Sequence, residues 1–592
     1  MFDVRAFGAR GDGTADDLPM IAAATAAARA AGGGVVAFPA GVYRLDGATP
    51  LRLDGDDLTL LGAPGAVIRA SRAKQLLLRS EGARRLRIRG LRFEGGAGGT
   101  IGVTLQLRGC SDCEISACQF DRIGTAAIDV TEGSSRCRIA DNTFHRSPGH
   151  SIMISGWTSP TEPALGSSFI EVLDNLIEEP GNSGISIEVR NDHVVVRGNR
   201  VLGANQNRAL FSDGIAVFNG TQDYLIADNV VSGTLPVPGT TDTGNGILIG
   251  HGENRSPPVR GRVQGNLLLS NGHDGRGDVA GCAGGGCLGN GIRVVFPGAG
   301  PTYIDTWLEK NVIMDSGRSG ISIADAEGIT VRGNRVEGSR NQGVWLLPDA
   351  GRNLLLGNVV SGSANHGLRI DSSDNTLAGN STTRNGLSGI FLGDGADENA
   401  ISGNVALDND GAAYGHAGVF LAGTDARGAS RNVITANRLG DGPSTATPQD
   451  YGLRIQAPSC RDNSLAGNVL EGNAVAPMID EGKGTRTADT LDAAETGSTV
   501  CDVAGGAEDP ASLPLGCAWA RVTGGGALRV LPCDTGAAGR LLHLVCGAEL
   551  TVDDDAGGNL RLTAPFRCAA GAFLALVCDG ESWQEIARGG VP

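Results

Sequence analysis

One short phrase repeats through most of this chain, and it limits the fold more than any other feature. An Asn followed by an apolar pair recurs as DNTF at Asn142, DNLI at Asn175, GNRV at Asn199, DNVV at Asn229, GNLL at Asn266 and KNVI at Asn311. It continues as GNRV at Asn334, GNVV at Asn358, GNST at Asn380, GNVA at Asn404, ANRL at Asn437 and GNVL at Asn468. Between these sits a second phrase, such as SGISIEV at 183–189, GNGILIG at 244–250, SGISIAD at 319–325 and YGLRIQA at 451–457. Each phrase alternates apolar and polar residues, the mark of a half-buried strand. Gly and Asn bound each one, and both tolerate the left-handed backbone of a sharp corner. The shortest Asn-to-Asn steps are 22 to 24 residues, room for three short strands and three corners. That is one coil of an all-β, right-handed parallel β-helix, in which each coil adds ~4.8 Å. Asn at one corner of successive coils is expected to form a hydrogen-bonded ladder, so these residues are structural. A leucine-rich repeat is the competing solenoid, but its Leu spacing is missing and β-branched residues prevail.

The ends differ from the repeat. Asp16-Asp17 precede an Ala-rich run, Leu18 to Ala31, with helical composition, and an open solenoid end needs such a cap. The repeat stops after Asn473. The expected organisation is a β-helix over 1–475, a polar linker over 476–500 and a small β-module over 501–592, where LLHLVC, FLALVC and WQEIAR read as short strands. The module holds Cys501, Cys517, Cys533, Cys546, Cys568 and Cys578, an even number compatible with disulfides and an oxidising compartment. The total of 13 is odd, so at least one thiol is free or pairs between chains. Cys282 and Cys287 flank a glycine run without nearby His, which favours a loop-closing disulfide or two thiols over zinc.

Composition then excludes whole classes. A net charge of -16 argues against nucleic-acid binding. No apolar run reaches the ~18 residues of a membrane span. No basic and apolar leader opens the chain, so the chain is either not exported by that route or shown here without its leader.

FDVRAFGARGDGTADD, followed by AAGGGVVAFPAGVYRL, resembles the opening of the pectate-lyase-like β-helix superfamily. More narrowly it resembles the branch of polygalacturonases, rhamnogalacturonases, alginate epimerases and many phage tailspikes. The opening covers about 45 residues, and the repeats carry the likeness to about residue 475. The resemblance implies the fold; it does not settle the reaction. The end module resembles those behind β-helices in tail proteins, which implies binding or a homotrimer. Phe211-Ser212-Asp213-Gly214-Ile215, Gly250-His251-Gly252 and Asn290-Gly291-Ile292-Arg293 resemble, in order, three polygalacturonase phrases. They depart from them: no Asp-Asp pair follows, His251 lies after its strand, and Val295 stands where the family has Lys.

Strand alternation turns one residue per coil outward, so outward residues form a column. With Ile and Val inward, Glu188, Arg190, Phe218, Arg293, Trp345, Arg369, Asp371, Phe391, Phe420 and Arg454 fall outward. A solvated β surface would be Thr, Ser, Asn and Lys. Aromatic faces suit sugar rings, carboxylates suit acid–base work, and Arg suits uronate carboxylates. Longer Asn steps cluster between 142 and 311, and the additional residues must leave the coil as loops. The expected reactive centre is therefore Glu188, Asp213, His251 and Arg293, with Arg190, Phe218, Asp325, Trp345 and Arg369 binding substrate. Glu188 and Asp213 on neighbouring coils form a carboxyl pair for hydrolysis; Arg190, Arg293 and His251 would serve lyase or epimerase chemistry. No metal is assigned, although Ca2+ among Asp213, Asp223 and Asp242 is open. The expected function is action on an acidic polysaccharide at a cell or virion surface or outside the cell, by hydrolysis, elimination or epimerisation. A glycan-binding tailspike or adhesin without turnover, or a structural surface protein, is the alternative.

Overall fold

The computed structural model describes residues 1–70, 74–95, 101–155, 165–238, 240, 243–250, 256–273, 289–296, 302–411, 414–424, 426–441, 449–488 and 491–492, and in the end module 500–504, 519–523, 527–528, 541–546, 550–552, 560–562, 566–568, 572–578 and 582–589. The chain forms a right-handed parallel β-helix and divides into two compact units, Met1–Ile329 and Thr330–Pro592.

In the first unit each coil contributes one strand to each of three parallel sheets. One coil shows the pattern: Asp192–Arg197 in the first sheet, Arg200–Leu202 in the second, Ile215–Phe218 in the third. Val194, Val196, Val201, Ile215 and Val217 point inward with no exposure, so period-2 alternation makes the core. The stacked inward rings of Phe93, Phe120 and Phe144 measure the rise directly, with centroids 4.9 and 4.8 Å apart. Helix Leu18–Ala30 carries Pro in its first turn and buries Ile21, Ala24 and Ala28. Asp17 just before it is buried and accepts from the backbone N–H of Arg10 at 2.7 Å and Gly11 at 3.1 Å.

The Asn repeat is the corner between first and second sheets. Asn142 donates its N–H and Nδ2 to Asn175 Oδ1 at 3.0 Å each, and the pattern continues through Asn199, Asn229, Asn266 and Asn311. The residue before each Asn adopts positive φ: Asp141 58°, Asp174 53°, Gly198 69°, Asp228 55°, Gly265 63°, Lys310 53°. This is why the phrase reads DN or GN, since Gly, Asp and Asn best tolerate that conformation.

The second unit repeats the architecture, with its own ladder from Asn334 through Asn358, Asn380, Asn404 and Asn437 to Asn468. A second ladder runs from Asn353 through Asn375, Asn399 and Asn432 to Asn463. Residues 476–500, expected as a linker, begin with another coil. Ala476–Asp480, Arg486–Ala488 and Leu491–Asp492 each pair in parallel with a strand of the preceding coil. Its polar sequence concealed it because a terminal coil is covered on one side only, and Arg486–Ala488 is exposed throughout. In the end module, Leu541–Cys546, Phe573–Cys578 and Trp583–Gly589 form the antiparallel core of a six-stranded sheet, and a three-stranded sheet accompanies it among the described residues.

Candidate functional site

Among the described residues, the first unit does not bring the expected Glu188 and Asp213 together. Asp213 is 1% exposed and sits at the corner before its strand, where Asn245 donates N–H at 2.6 Å and Nδ2 at 2.8 Å to its Oδ1. Burial pushes its carboxyl up to about 7 against those hydrogen bonds. Asp213 is a ladder residue, continued by Asn290 donating to Asn245 Oδ1 at 2.9 Å. Its own N–H donates to Ser183 Oγ at 3.1 Å, five residues before Glu188 and so roughly 16 Å from it along the strand. The expected Glu188–Asp213 pair therefore cannot flank one glycosidic bond. Glu188 is half-buried and takes Ser186 Oγ at 3.1 Å. His251 and Asp242 lie outside the described residues, as do Cys282 and Cys287 and the side chains of the end-module cysteines.

The remaining first-unit residues also depart from the expected open groove. Phe218 is 8% exposed and packs with Ala216 and Leu248. Arg293 is 4% exposed, its Nη1 donating to Ser322 Oγ at 2.6 Å. Arg190 and Asp325 occupy left-handed corners, φ 55° and 52°, after their strands. Asp129 is buried between Gln106 Nε2 at 2.9 Å and Ser155 Oγ at 2.7 Å, and burial raises its pKa. Asp223, one of the three expected calcium ligands, is paired with Arg260 at 2.6 Å, on a different corner from Asp213. It instead approaches Asp192 and His193, ligand atoms within 4.8 Å of one another, and His193 also stacks on Phe169 at 4.6 Å.

The second unit holds a more reactive surface. Its third sheet places Trp345, Arg369, Phe391, Phe420 and Arg454 in strict register on successive coils. Asp371 Oδ2 accepts from Trp345 Nε1 at 2.7 Å and from Arg369 Nε at 2.8 Å. Space for that carboxylate comes from Gly393 on the next coil, where a Cβ would lie 2.2 Å from Asp371 Oδ1. The Arg369 guanidinium lies 4.9 Å from the Trp345 ring centroid and 5.5 Å from that of Phe391. Phe391 in turn stacks on His366 at 4.2 Å and on Phe420 at 5.4 Å. Arg369 thus covers the half-buried Trp345 ring, and Phe218 is buried, so the open aromatic face expected of Phe218 is not there. What this column offers a ligand is guanidinium and carboxyl groups.

Those groups converge at Gly415-His416. Asp410, fully buried, accepts from Tyr414 N–H at 3.0 Å and His416 N–H at 2.9 Å, fixing the segment. Arg454 Nη1 donates to the Gly415 carbonyl while its guanidinium covers the rings of Phe420 at 5.1 Å and Tyr451 at 5.5 Å. Gly415 has φ 79°, and a Cβ there would sit 2.9 Å from Arg454 Nη1. The Asp450 carboxyl, hydrogen-bonded to Gly415, is raised in pKa by burial and by the adjacent Asp410. His416 Nδ1 is 3.0 Å from Ser388 Oγ, and Nε2 has no partner among the described residues. Burial lowers the His416 pKa, so its imidazole is neutral near pH 7. His366 behind it is lowered further by burial, and its Nδ1 accepts from Ser388 N–H at 3.2 Å.

Residues 1–233 match the family described as rhamnogalacturonase A/epimerase, pectate lyase-like. It is a pectate-lyase-like parallel β-helix. Residues 289–418 of this β-helix also match the periplasmic copper-binding protein (NosD) family. A mannuronan C5-epimerase, AlgE3 of Azotobacter vinelandii, is 59% identical to it over 46 residues, 8% of this chain and 2% of that protein. The β-helix thus spans a small fraction of the curated relatives it matches. Similar solved structures include the catalytic unit of a thermostable GH87 α-1,3-glucanase from Streptomyces thermodiastaticus, with TM-score 0.47 and 18% identity over 66% of this chain and 64% of that one. Another is the tailspike protein of E. coli bacteriophage HK620, with TM-score 0.43 and 10% identity over 82% and 80%.

Sequence reasoning placed Arg369, Asp371, Phe391, Phe420 and Arg454 on the outward column of this β-helix but missed Ser388, Asp410, His416 and Asp450. A signal was present. The steps Asn404 to Asn437, 33 residues, and Asn437 to Asn468, 31 residues, exceed the baseline and contain Asp410, His416 and Asp450.

Proposed function

We propose that this protein acts on an acidic polysaccharide, outside the cell or at a surface, by removing a proton beside a uronate carboxylate. The observation that carries the reading is the convergence of Arg454, neutral His416 and Asp450, a carboxyl raised in pKa, on one backbone segment. Each has a role in that chemistry. Arg454 binds and neutralises the carboxylate, which acidifies the neighbouring C–H. With Nδ1–H donated to Ser388, His416 Nε2 is the lone-pair base that takes the proton. Asp450, its pKa raised, donates to the departing glycosidic oxygen, completing an elimination that leaves a double bond in the new end sugar. Hydrolysis finds less support here, because Asp410 is buried against backbone N–H groups and cannot activate a water.

Incubation with a panel of acidic polysaccharides, following both absorbance near 235 nm and reducing ends, tests the reaction class. Elimination raises both; reducing ends without absorbance mean hydrolysis; a changed uronate without either means epimerisation. His416→Ala and Asp450→Asn should each lower kcat by ~100-fold or more with melting temperature nearly unchanged. The pH profile should be bell-shaped, with activity lost at low pH as His416 protonates and lost at higher pH as Asp450 ionises. Full activity in both variants would place the chemistry elsewhere.

A further inference from the structure

The column next to this centre carries two arginines, and their separation bears on which polymer fits. Arg369, Phe391, Phe420 and Arg454 are consecutive register partners, so the arginines stand three coils apart, ~14 Å at the usual strand spacing. Each guanidinium is fixed before any ligand arrives. Arg369 is held by Asp371 and by the rings of Trp345 and Phe391, and its Nη1 and Nη2 make no hydrogen bond among the described residues. Arg454 is held by Gly415 and by the rings of Phe420 and Tyr451, and its Nη2 is likewise unengaged. At the two register positions between them the column carries no cation. They present Phe391 and Phe420, with His366 and His416 packed against them and kept neutral by burial.

Resting on the function proposed above, we infer that Arg369 and Arg454 form paired anion subsites that select a linear acidic polysaccharide with carboxylates on sugars three residues apart. One pyranose advances a polymer by roughly one coil of this helix, so a chain lying along the column puts sugar one on Arg369 and sugar four on Arg454. The two sugars between need no charge. A four-sugar segment is then the shortest ligand that reaches both arginines, and Arg369 acts as a binding residue remote from the bond that breaks.

The test is binding of galacturonate and mannuronate oligomers of two to six residues to the Asp450→Asn protein, by calorimetry. Affinity should rise roughly tenfold or more between the three- and four-residue oligomers, because the second contact is intramolecular. Arg369→Gln should abolish that step, so that three- and four-residue oligomers bind alike; an unaltered melting temperature shows that the variant is folded. Affinity that grows smoothly with length, or a step that survives Arg369→Gln, overturns the paired subsites while leaving the polysaccharide reading intact. No binding of any oligomer overturns both.

Discussion

Asp213 shows how one atom changes a residue's task. It occupies a corner where the following coils use Asn245 and Asn290, and like Asn245 it accepts a backbone N–H and a side-chain amide. As a carboxyl in a buried slot its pKa is raised to about 7, so the folded state holds the proton more tightly than the unfolded chain does. Its contribution to stability is therefore full below the unfolded carboxylate range and is lost as pH rises toward 7. Asp213→Asn keeps the accepting oxygen and supplies an amide that can donate toward Ser183 while removing the charge. It should stabilise the protein above pH 7 by ~1–3 kcal/mol and flatten the decline between pH 4 and 7. Urea denaturation at several pH values measures both, and lower stability of the variant at pH 8 would contradict the ladder role.

At the element scale, the corner rather than the strand carries the specification. Strands here are often three residues long, too short to specify a register by themselves. Each corner adds one residue at positive φ and one Asn whose amide closes the gap to the neighbouring coil. In the second unit the positive-φ residue is Gly333, Gly357, Gly379, Gly403 and Gly467, but Ala436 at φ 54° breaks the series. A Cβ in that conformation costs roughly 1 kcal/mol, so Ala436→Gly should stabilise by ~0.5–1 kcal/mol even though it removes a side chain. Thermal unfolding detects this as a small upward shift. Interrupting a ladder has the opposite sign. Asn358→Ala removes donors to Asn380 Oδ1 and the Val331 carbonyl and the acceptor of Asn334. With each buried orphan costing ~1–3 kcal/mol, it should destabilise by several kcal/mol in the same assay.

For the molecule as a whole, stability is a chain of nearest-neighbour interfaces, so its ends matter most. At the start, the helix Leu18–Ala30 closes the core. At the far end of the repeat, the coil of Ala476–Asp480, Arg486–Ala488 and Leu491–Asp492 covers Leu453, Ile455 and Leu465, all at most 1% exposed. A chain ending at Asn473 would leave Tyr451–Ile455 as a bare sheet edge over an uncovered core, whereas one ending at Asp492 would not. The shorter chain should melt several degrees lower and associate at high concentration, read by calorimetry and sedimentation. Equal behaviour of the two would show that the last coil adds nothing.

The solenoid, its three-strand coil, the Asn ladder and the outward places of Arg369, Phe391, Phe420 and Arg454 were all determined by the sequence alone. They follow from local rules: period-2 alternation, corner residues that tolerate positive φ, and one repeat length. Only the tertiary structure decided which outward groups meet. Asp213 reads like an outward acid, yet its corner places it in a ladder. Glu188 lies near it by coil number, yet at the other end of the strand. His416, Asp450 and Arg454 are scattered in sequence but converge because Asp410 pins the segment between two coils and Gly415 leaves room for a guanidinium. Burial, which makes His416 neutral and raises the pKa of Asp450, depends on what packs around a group, and no spacing in the sequence records that.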